Sequence, residues 1–140
     1  MDPKLRARAV VDRMFDRDYF SQWLGIERVE EDAGRCVLRM KVRKEMLNGF
    51  GIAHGGITYS FADSALAFAC NSHGRKSVSV ETSISHLVSL KEGEVIIATA
   101  QEESVTNKIG LYQVRVTKED GTLVALFKGT VYRTSVDWDV

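Results

Sequence analysis

The sequence predicts an α+β protein in which one apolar helix packs on a long antiparallel sheet. Its 140 residues are 44% hydrophobic and include a single proline, so one substantial core can form. The apolar positions change along the chain from a helical period to alternation. One proline-free apolar segment, 53–72, interrupts the alternating stretches. We therefore expect a single domain over residues 1–140, with an N-terminal helical segment at 1–24.

The first elements follow from a helix-start signal and from spacing. Asp2 followed by Pro3 favours a helix start, because aspartate caps free amides and proline fits the first helical position. Apolar residues then recur at helical spacing, which predicts a helix over Pro3–Phe15. A short helical turn is expected over 18–24.

Most of the remaining chain has the pattern of strands. Apolar and mostly basic residues alternate over Cys36–Arg43, which predicts a strand with one solvated face. Further β-rich stretches follow at Ser77–Leu87, Glu94–Val105 and Ile109–Tyr132. The turn Glu119–Gly121 divides the last of these into a hairpin, so the sheet is expected to be antiparallel.

The apolar segment Ala53–Ser72 is expected to be the central helix, with Gly74 as its left-handed C-terminal stop. It is apolar on nearly every side, which is more than one sheet face requires. Part of this helix is therefore expected to contact a second subunit.

Composition narrows the classes of partner and location. The 19 basic residues balance 19 acidic ones, so the chain as a whole does not attract nucleic acid. The longest stretch without Lys, Arg, Asp or Glu is shorter than a membrane span, so no membrane partner is expected. With only Cys36 and Cys70 and no signal-peptide pattern, we expect a cytoplasmic protein without disulfides.

The segment Asn48–Asp63 carries the candidate chemistry. Gly55 and Gly56 fall at the opening turn of the predicted helix, where backbone amides lack intrahelical partners and the helix dipole favours negative charge. Residues without side chains let a ligand oxygen approach these amides. The alternative that the two glycines only permit a tightly packed turn stays open at this point.

Asp63 is the second candidate, because it is the only formal charge between Ala53 and Cys70. A carboxylate on such an apolar helix must be partnered, protonated or chemically employed. A purely structural role, bonded to backbone or at a wet helix edge, is the alternative. His54 and Asp63 are about 900° of rotation and about 13.5 Å of rise apart on an ideal helix, so they point to opposite sides. A shared reaction centre therefore favours Asn48, His54 and Gly55 from one subunit and Asp63 from its two-fold partner.

No cofactor is predicted. His73 and His86 have no metal-ligand spacing with His54 or with either cysteine, so a metal site is not expected. The sequence also lacks the nucleophile elbow of serine hydrolases and the glycine-rich phosphate loops of nucleotide-binding proteins.

Several motifs, in order and spacing, resemble the hotdog-fold acyl-CoA thioesterases of the phenylacetate-degradation (PaaI-type) branch. The segments that carry this resemblance are Met46–Gly49, His54–Gly56, Phe61–Ala65 and Phe68–Ser72. The resemblance implies a sheet wrapped around one long central helix, and homodimers that share two active sites and commonly pair into homotetramers. It also implies hydrolysis of acyl-CoA thioesters without metal or organic cofactor.

The resemblance also implies roles for individual residues. The Gly55 N–H would polarise the thioester carbonyl, with Asn48 and His54 beside it. Asp63 of the partner subunit would be nucleophile or general base, and the residues leave that choice open. Gly56 and Ser79 are expected to contact the substrate, Ser79 through the attacking water. Apart from the resemblance, the candidates for contact with the CoA phosphates are the basic residues Lys108, Arg75, Lys76 and Lys91, and the alternative is that they are only solvated. Relatives often carry Arg-Pro in the loop where this chain reads His86–Leu90, so the substrate is less defined than the reaction.

The leading hypothesis is thus an aryl-acyl (phenylacetyl-type) or medium-chain acyl-CoA thioesterase. A hotdog hydratase or dehydratase is one alternative, although the usual sequence context of those sites is not evident. A non-catalytic acyl-CoA-binding hotdog protein is the other alternative.

Overall fold

The computed structural model describes all 140 residues. Its helices and strands follow in the order α1 (Pro3–Asp16), α2 (Tyr19–Trp23), β1 (Glu27–Asp32), β2 (Arg35–Lys41), α3 (Gly55–Asn71), β3 (Arg75–His86), β4 (Val95–Val105), β5 (Ile109–Lys118) and β6 (Leu123–Asp137). A single 3₁₀ turn, Lys44–Met46, leads from β2 toward α3.

The N-terminal helices form as predicted and cover one end of the core. The Asp2 side chain accepts a hydrogen bond from Lys4 N at 3.2 Å, which caps α1. Helix α1 packs against β1 and α3 and buries Val10 and Val11 there. It therefore closes the core beside the central helix.

The six strands form one antiparallel sheet in the order β1-β2-β4-β5-β6-β3. The central helix α3 contacts every strand of this sheet, so the sheet wraps around it. Strands β3 and β4 follow each other in the chain, yet β5 and β6 lie between them. This order leaves β1 at one edge and β3 at the other, which confirms the expected α+β class.

One strand was not predicted. The alternation placed the first strand at Cys36, whereas the sheet begins with β1 at Glu27–Asp32. Five of its six residues are charged, so it shows no apolar alternation. Strand β1 exists because its backbone pairs with β2 at a sheet edge, with most of its side chains reaching solvent.

The core lies between α3 and the inner face of the sheet. Strand β2 buries Cys36, Leu38 and Met40 at alternating positions, as its pattern predicted. A Cβ on Gly129 would lie 2.5 Å from Leu66 Cδ2, so the absence of a side chain on β6 lets α3 approach closely. No helix of the chain combines the length and the apolarity that crossing a bilayer requires.

Candidate active site

His54 positions the first turn of the central helix. Helix α3 begins at Gly55, two residues after the predicted start, and His54 is its N-cap residue. The His54 Nδ1 accepts a hydrogen bond from Gly56 N at 2.9 Å. A neutral imidazole that accepts at Nδ1 carries its proton on Nε2, and this N–H has no acceptor within the chain.

The cap leaves one amide of the first turn free. Gly56 N–H is occupied by His54 Nδ1, and Ile57 N donates to His54 O at 2.9 Å. Gly55 N–H has no acceptor within the helix, because it is the first helical residue, and it has none elsewhere in the chain. Gly55, rather than Gly56, is therefore the donor available to an anionic or polarised oxygen at the positive end of the helix dipole.

Asn48 organises the loop that leads to this helix end. Its Oδ1 accepts from Phe50 N at 2.9 Å and from Ile52 N at 3.4 Å. Gly51 occupies the left-handed region at φ +79°, where the loop turns back. The Asn48 Nδ2 makes no hydrogen bond within the chain, so it remains a donor for a bound molecule.

A cavity of about 290 Å³ opens beside these groups. Asn48 and Gly55 both line it, so the structure brings together these two predicted site residues. Three further polar residues, Thr58, His86 and Ser89, line it as well. The other lining residues come from the flanking loops and are Ile52, Ala53, Leu87, Val88 and Leu90. The family resemblance had singled out the loop His86–Leu90 as unusual, but no sequence pattern assigned His86 itself a role in the site.

Asp63 lies apart from this cavity in its own chain. It is eight residues after Gly55 on α3, about 12 Å along the helix axis. The carboxylate is partly buried and has neither a hydrogen-bond partner nor an ion pair within the chain. Burial raises the pKa of Asp63 above its ordinary value of 3.8. One protomer thus contains an unpartnered carboxylate and an unpartnered amide that do not meet.

Ser79 and Lys108 are also separate from the cavity. Ser79 is exposed on the edge strand β3, opposite Val131 of β6. Lys108 lies in the exposed turn between β4 and β5, and its carbonyl accepts from Arg133 N at 2.7 Å. His86 pairs with Ala125, eight residues before Arg133 on β6, which is about 26 Å along the strand. Lys108 therefore stands at the opposite end of the sheet from Gly55.

The groups that the candidate site offers to a bound molecule are hydrogen-bond donors and the Asp63 carboxylate. No group of three or more His, Cys, Asp or Glu side chains is arranged so that it could hold a metal ion. Cys36 and Cys70 are both buried and unpaired, and Cys70 belongs to the core as its position on α3 predicted.

The architecture defines a hotdog-fold protein, with one long helix held inside a curved antiparallel sheet. The structure of the Escherichia coli PaaI protein from the phenylacetic acid degradation operon has this fold and superimposes with a TM-score of 0.94 at 33% identity, covering 96% of this chain and 97% of that one. The model of the Thioesterase superfamily matches residues 50–125.

Two curated relatives support the same family. The chain is 39% identical over 129 residues to a putative esterase of Archaeoglobus fulgidus, covering 92% of this chain and 84% of that protein. It is 36% identical over 120 residues to the acyl-coenzyme A thioesterase PaaI of Escherichia coli K12, covering 86% of each. The chain belongs to the thioesterase superfamily and is a hotdog-fold thioester hydrolase of the PaaI type.

Proposed function

We propose that the chain hydrolyses acyl-CoA thioesters, with aryl-acyl (phenylacetyl-type) or medium-chain acyl groups as substrates. The name of the Escherichia coli relative supports the CoA thioester class. The origin of the Escherichia coli PaaI structure in a phenylacetic acid degradation operon supports an aryl-acyl group.

The free Gly55 N–H is the proposed donor to the thioester carbonyl. As the carbonyl is attacked, its oxygen gains negative charge, and a fixed amide at a helix N-terminus stabilises that charge without reorganising. The Nδ2 of Asn48 and the Nε2–H of His54 would hold the carbonyl and the water beside it. Because Ser79 and Lys108 lie away from Gly55 in their own chain, Lys108 of the partner subunit would meet the CoA phosphates, and Ser79 of the partner subunit the attacking water.

Asp63 of the partner subunit is proposed to act on the same carbonyl. A carboxylate in a poorly solvated place is a stronger base and nucleophile than one in water. As general base it takes a proton from water while water oxygen bonds to the acyl carbon. As nucleophile it forms an anhydride that water then cleaves. In both cases the carbon–sulfur bond breaks and the CoA sulfur leaves as thiolate, which takes up a proton.

The edge strand β3 is the proposed dimer contact. Its outer backbone groups are unpaired, and its Val78 and Val80 are 57% and 61% exposed. Two copies of one strand related by a two-fold axis pair antiparallel. Such pairing would set the two α3 helices side by side and bring Asp63 of each toward Gly55 of the other. The homotetramer implied by the family resemblance stays a prediction, and sedimentation of the purified protein would measure both states.

The observation that carries the proposal is that one helix presents a free amide at Gly55 and an unpartnered carboxylate at Asp63. Asp63→Asn removes the ionisable group at nearly unchanged volume. We expect release of CoA from phenylacetyl-CoA to fall at least about 100-fold in this variant, because the base or nucleophile is lost. Asp16→Asn, on the exposed end of α1, is the matched control and should keep full activity. Activity of Asp63→Asn within a few-fold of the parent would contradict the proposal.

Gly55→Pro tests the amide separately. Proline is tolerated at the first helical position, where it removes the N–H and adds ring carbons, with a Cβ that would lie 3.3 Å from His86 Nε2, as the Cβ of alanine would. His54 precedes it with φ −61° and ψ 137°, the extended conformation that a following proline requires. We expect kcat to fall about 100- to 1,000-fold in Gly55→Pro. Gly55→Ala retains the N–H and is the control that should lose far less.

Mixed dimers test whether the two halves come from different subunits. Subunits carrying Asp63→Asn and subunits carrying Gly55→Pro are unfolded together and refolded. If each site combines Gly55 of one chain with Asp63 of the other, a mixed dimer has one intact site, and random pairing restores roughly a quarter of the parental activity. No recovery in a preparation shown to contain mixed dimers would place both groups in one subunit.

A further inference from the structure

The His86 imidazole lies beside the start of the central helix, and both His86 and Gly55 line the cavity. His86 is the last residue of β3, and its backbone pairs with Ala125 of β6. A Cβ built on Gly55 would lie 3.3 Å from His86 Nε2 and 3.5 Å from Cε1. The Nε2 end of the ring therefore points toward the helix end.

These contacts limit the distance between the two donors. In standard geometry a backbone nitrogen and the Cβ of its residue are about 2.5 Å apart. Gly55 N and His86 Nε2 therefore lie at most about 5.8 Å apart, the sum of that distance and 3.3 Å. Two hydrogen bonds of about 2.9 Å to a shared oxygen span this separation. This separation is therefore compatible with one oxygen atom accepting from both groups.

The His86 ring has no polar partner within the chain. Neither ring nitrogen forms a hydrogen bond or an ion pair, in contrast to His54, whose Nδ1 caps α3, and His73, whose Nε2 bonds Glu102 at 2.6 Å. Of the residues that line the cavity, His86 is the only one with an ionisable side chain. Its donor capacity is therefore available to a molecule in the cavity.

From this geometry we infer that His86 is a second donor to the thioester oxygen, acting together with the Gly55 amide. This inference rests on the proposed function, because it assigns the oxygen that both donors face. The Nε2–H of His86 donates a hydrogen bond that strengthens as the carbonyl oxygen becomes an oxyanion, and the imidazole keeps its proton throughout. The stabilisation is greatest in the transition state, so it raises kcat more than it lowers KM.

The experiment compares His86→Phe with His86→Gln. Phenylalanine keeps a ring of similar size but has no donor, whereas the glutamine amide supplies an N–H at a similar reach. With phenylacetyl-CoA, we expect kcat of His86→Phe to fall about 100-fold, the lower end for the loss of one such donor, with KM changed less than about three-fold. His86→Gln should recover at least about ten-fold of that loss. His73→Gln, at the other end of the sheet, is the control and should keep the parental kcat.

The outcomes separate this inference from the proposed function. A kcat of His86→Phe within three-fold of the parent, a change confined to KM, or a His86→Gln as slow as His86→Phe would each overturn the role of His86. All three leave the thioesterase assignment intact, because the parent protein still releases CoA. A parent protein that releases no CoA overturns the proposed function itself. His86→Leu replaces His86→Phe in the comparison if the phenylalanine variant does not fold.

Discussion

Two substitutions of His54 separate the effect of the hydrogen bond that caps the central helix from the effect of the imidazole ring. His54 Nδ1 accepts from Gly56 N at 2.9 Å, and this is the only side-chain cap on the first turn of α3. His54→Ala removes the acceptor and leaves the Gly56 N–H as another free amide at the helix start. His54→Asn keeps a side-chain oxygen at the cap position, where asparagine ranks among the best residues, but removes the imidazole.

The expected magnitude follows from the cap alone. Loss of an N-cap acceptor costs about 0.5–2 kcal/mol, so the free energy of unfolding of His54→Ala should fall by about 1 kcal/mol. At this chain length that corresponds to a decrease in Tm of about 2–5 °C. His54→Asn should stay within about 0.5 kcal/mol of the parent, because the Oδ1 accepts the same amide.

Urea unfolding at one fixed protein concentration measures both variants, since association would make the midpoint concentration-dependent. The m-value should be unchanged, because neither substitution alters the surface that unfolding exposes. Hydrolysis of phenylacetyl-CoA by His54→Asn then reports the contribution of the imidazole in a helix that is still capped. Equal destabilisation of the alanine and asparagine variants would refute the reasoning, because the bond to Gly56 would then contribute nothing.

Three further measurements test the core and the buried ionisable groups. Gly129→Ala should lower the free energy of unfolding by about 1–3 kcal/mol, because its Cβ would meet Leu66 Cδ2 at 2.5 Å, and a double-mutant cycle with Leu66→Ala should show strong coupling. Asp63→Asn should raise Tm at neutral pH. Burial raises the pKa of Asp63 in the folded protein, so the parent loses stability as pH rises from about 3.8 through that raised pKa. Below pH 3.8 the Tm difference between the two proteins should vanish. An equal Tm for both proteins at pH 7 would contradict that sign. Burial raises the pKa of Cys70 to about 12 and that of Cys36 in the same direction, so neither thiol should react with a disulfide reagent at pH 8 until the chain is unfolded.

Local patterns were sufficient for most elements of the fold. The apolar, proline-free stretch before Gly74 predicted α3 to within two residues at its start, and Gly74 has a φ of +100° as a left-handed stop requires. Alternation located the long strands for the same reason, since burial on one face repeats every second residue. Strand β1 was not predicted because five of its six side chains are charged, and its strand character comes from pairing with β2.

The residues of the candidate site also differ in whether a local pattern could predict them. Asn48, His54 and Gly55 lie within eight residues, so the chain itself keeps them close; the helix-start signal indicated Gly55, and the family resemblance implied the roles of Asn48 and His54. His86 is 31 residues beyond Gly55, and no local pattern relates the two. They meet because β3 ends beside the start of α3, and that placement depends on the pairing of β3 with β6.

The amino-acid order by itself determined the α+β class, the apolar helix with its lone Asp63 and the free amides at its start, because each depends on neighbours within one or two turns. Only the tertiary structure decided that β3 stands at the sheet edge and that His86 completes the cavity wall. Those outcomes depend on contacts between segments distant in the chain, whose free energy is set by burial and backbone pairing across the whole sheet rather than by any local pattern.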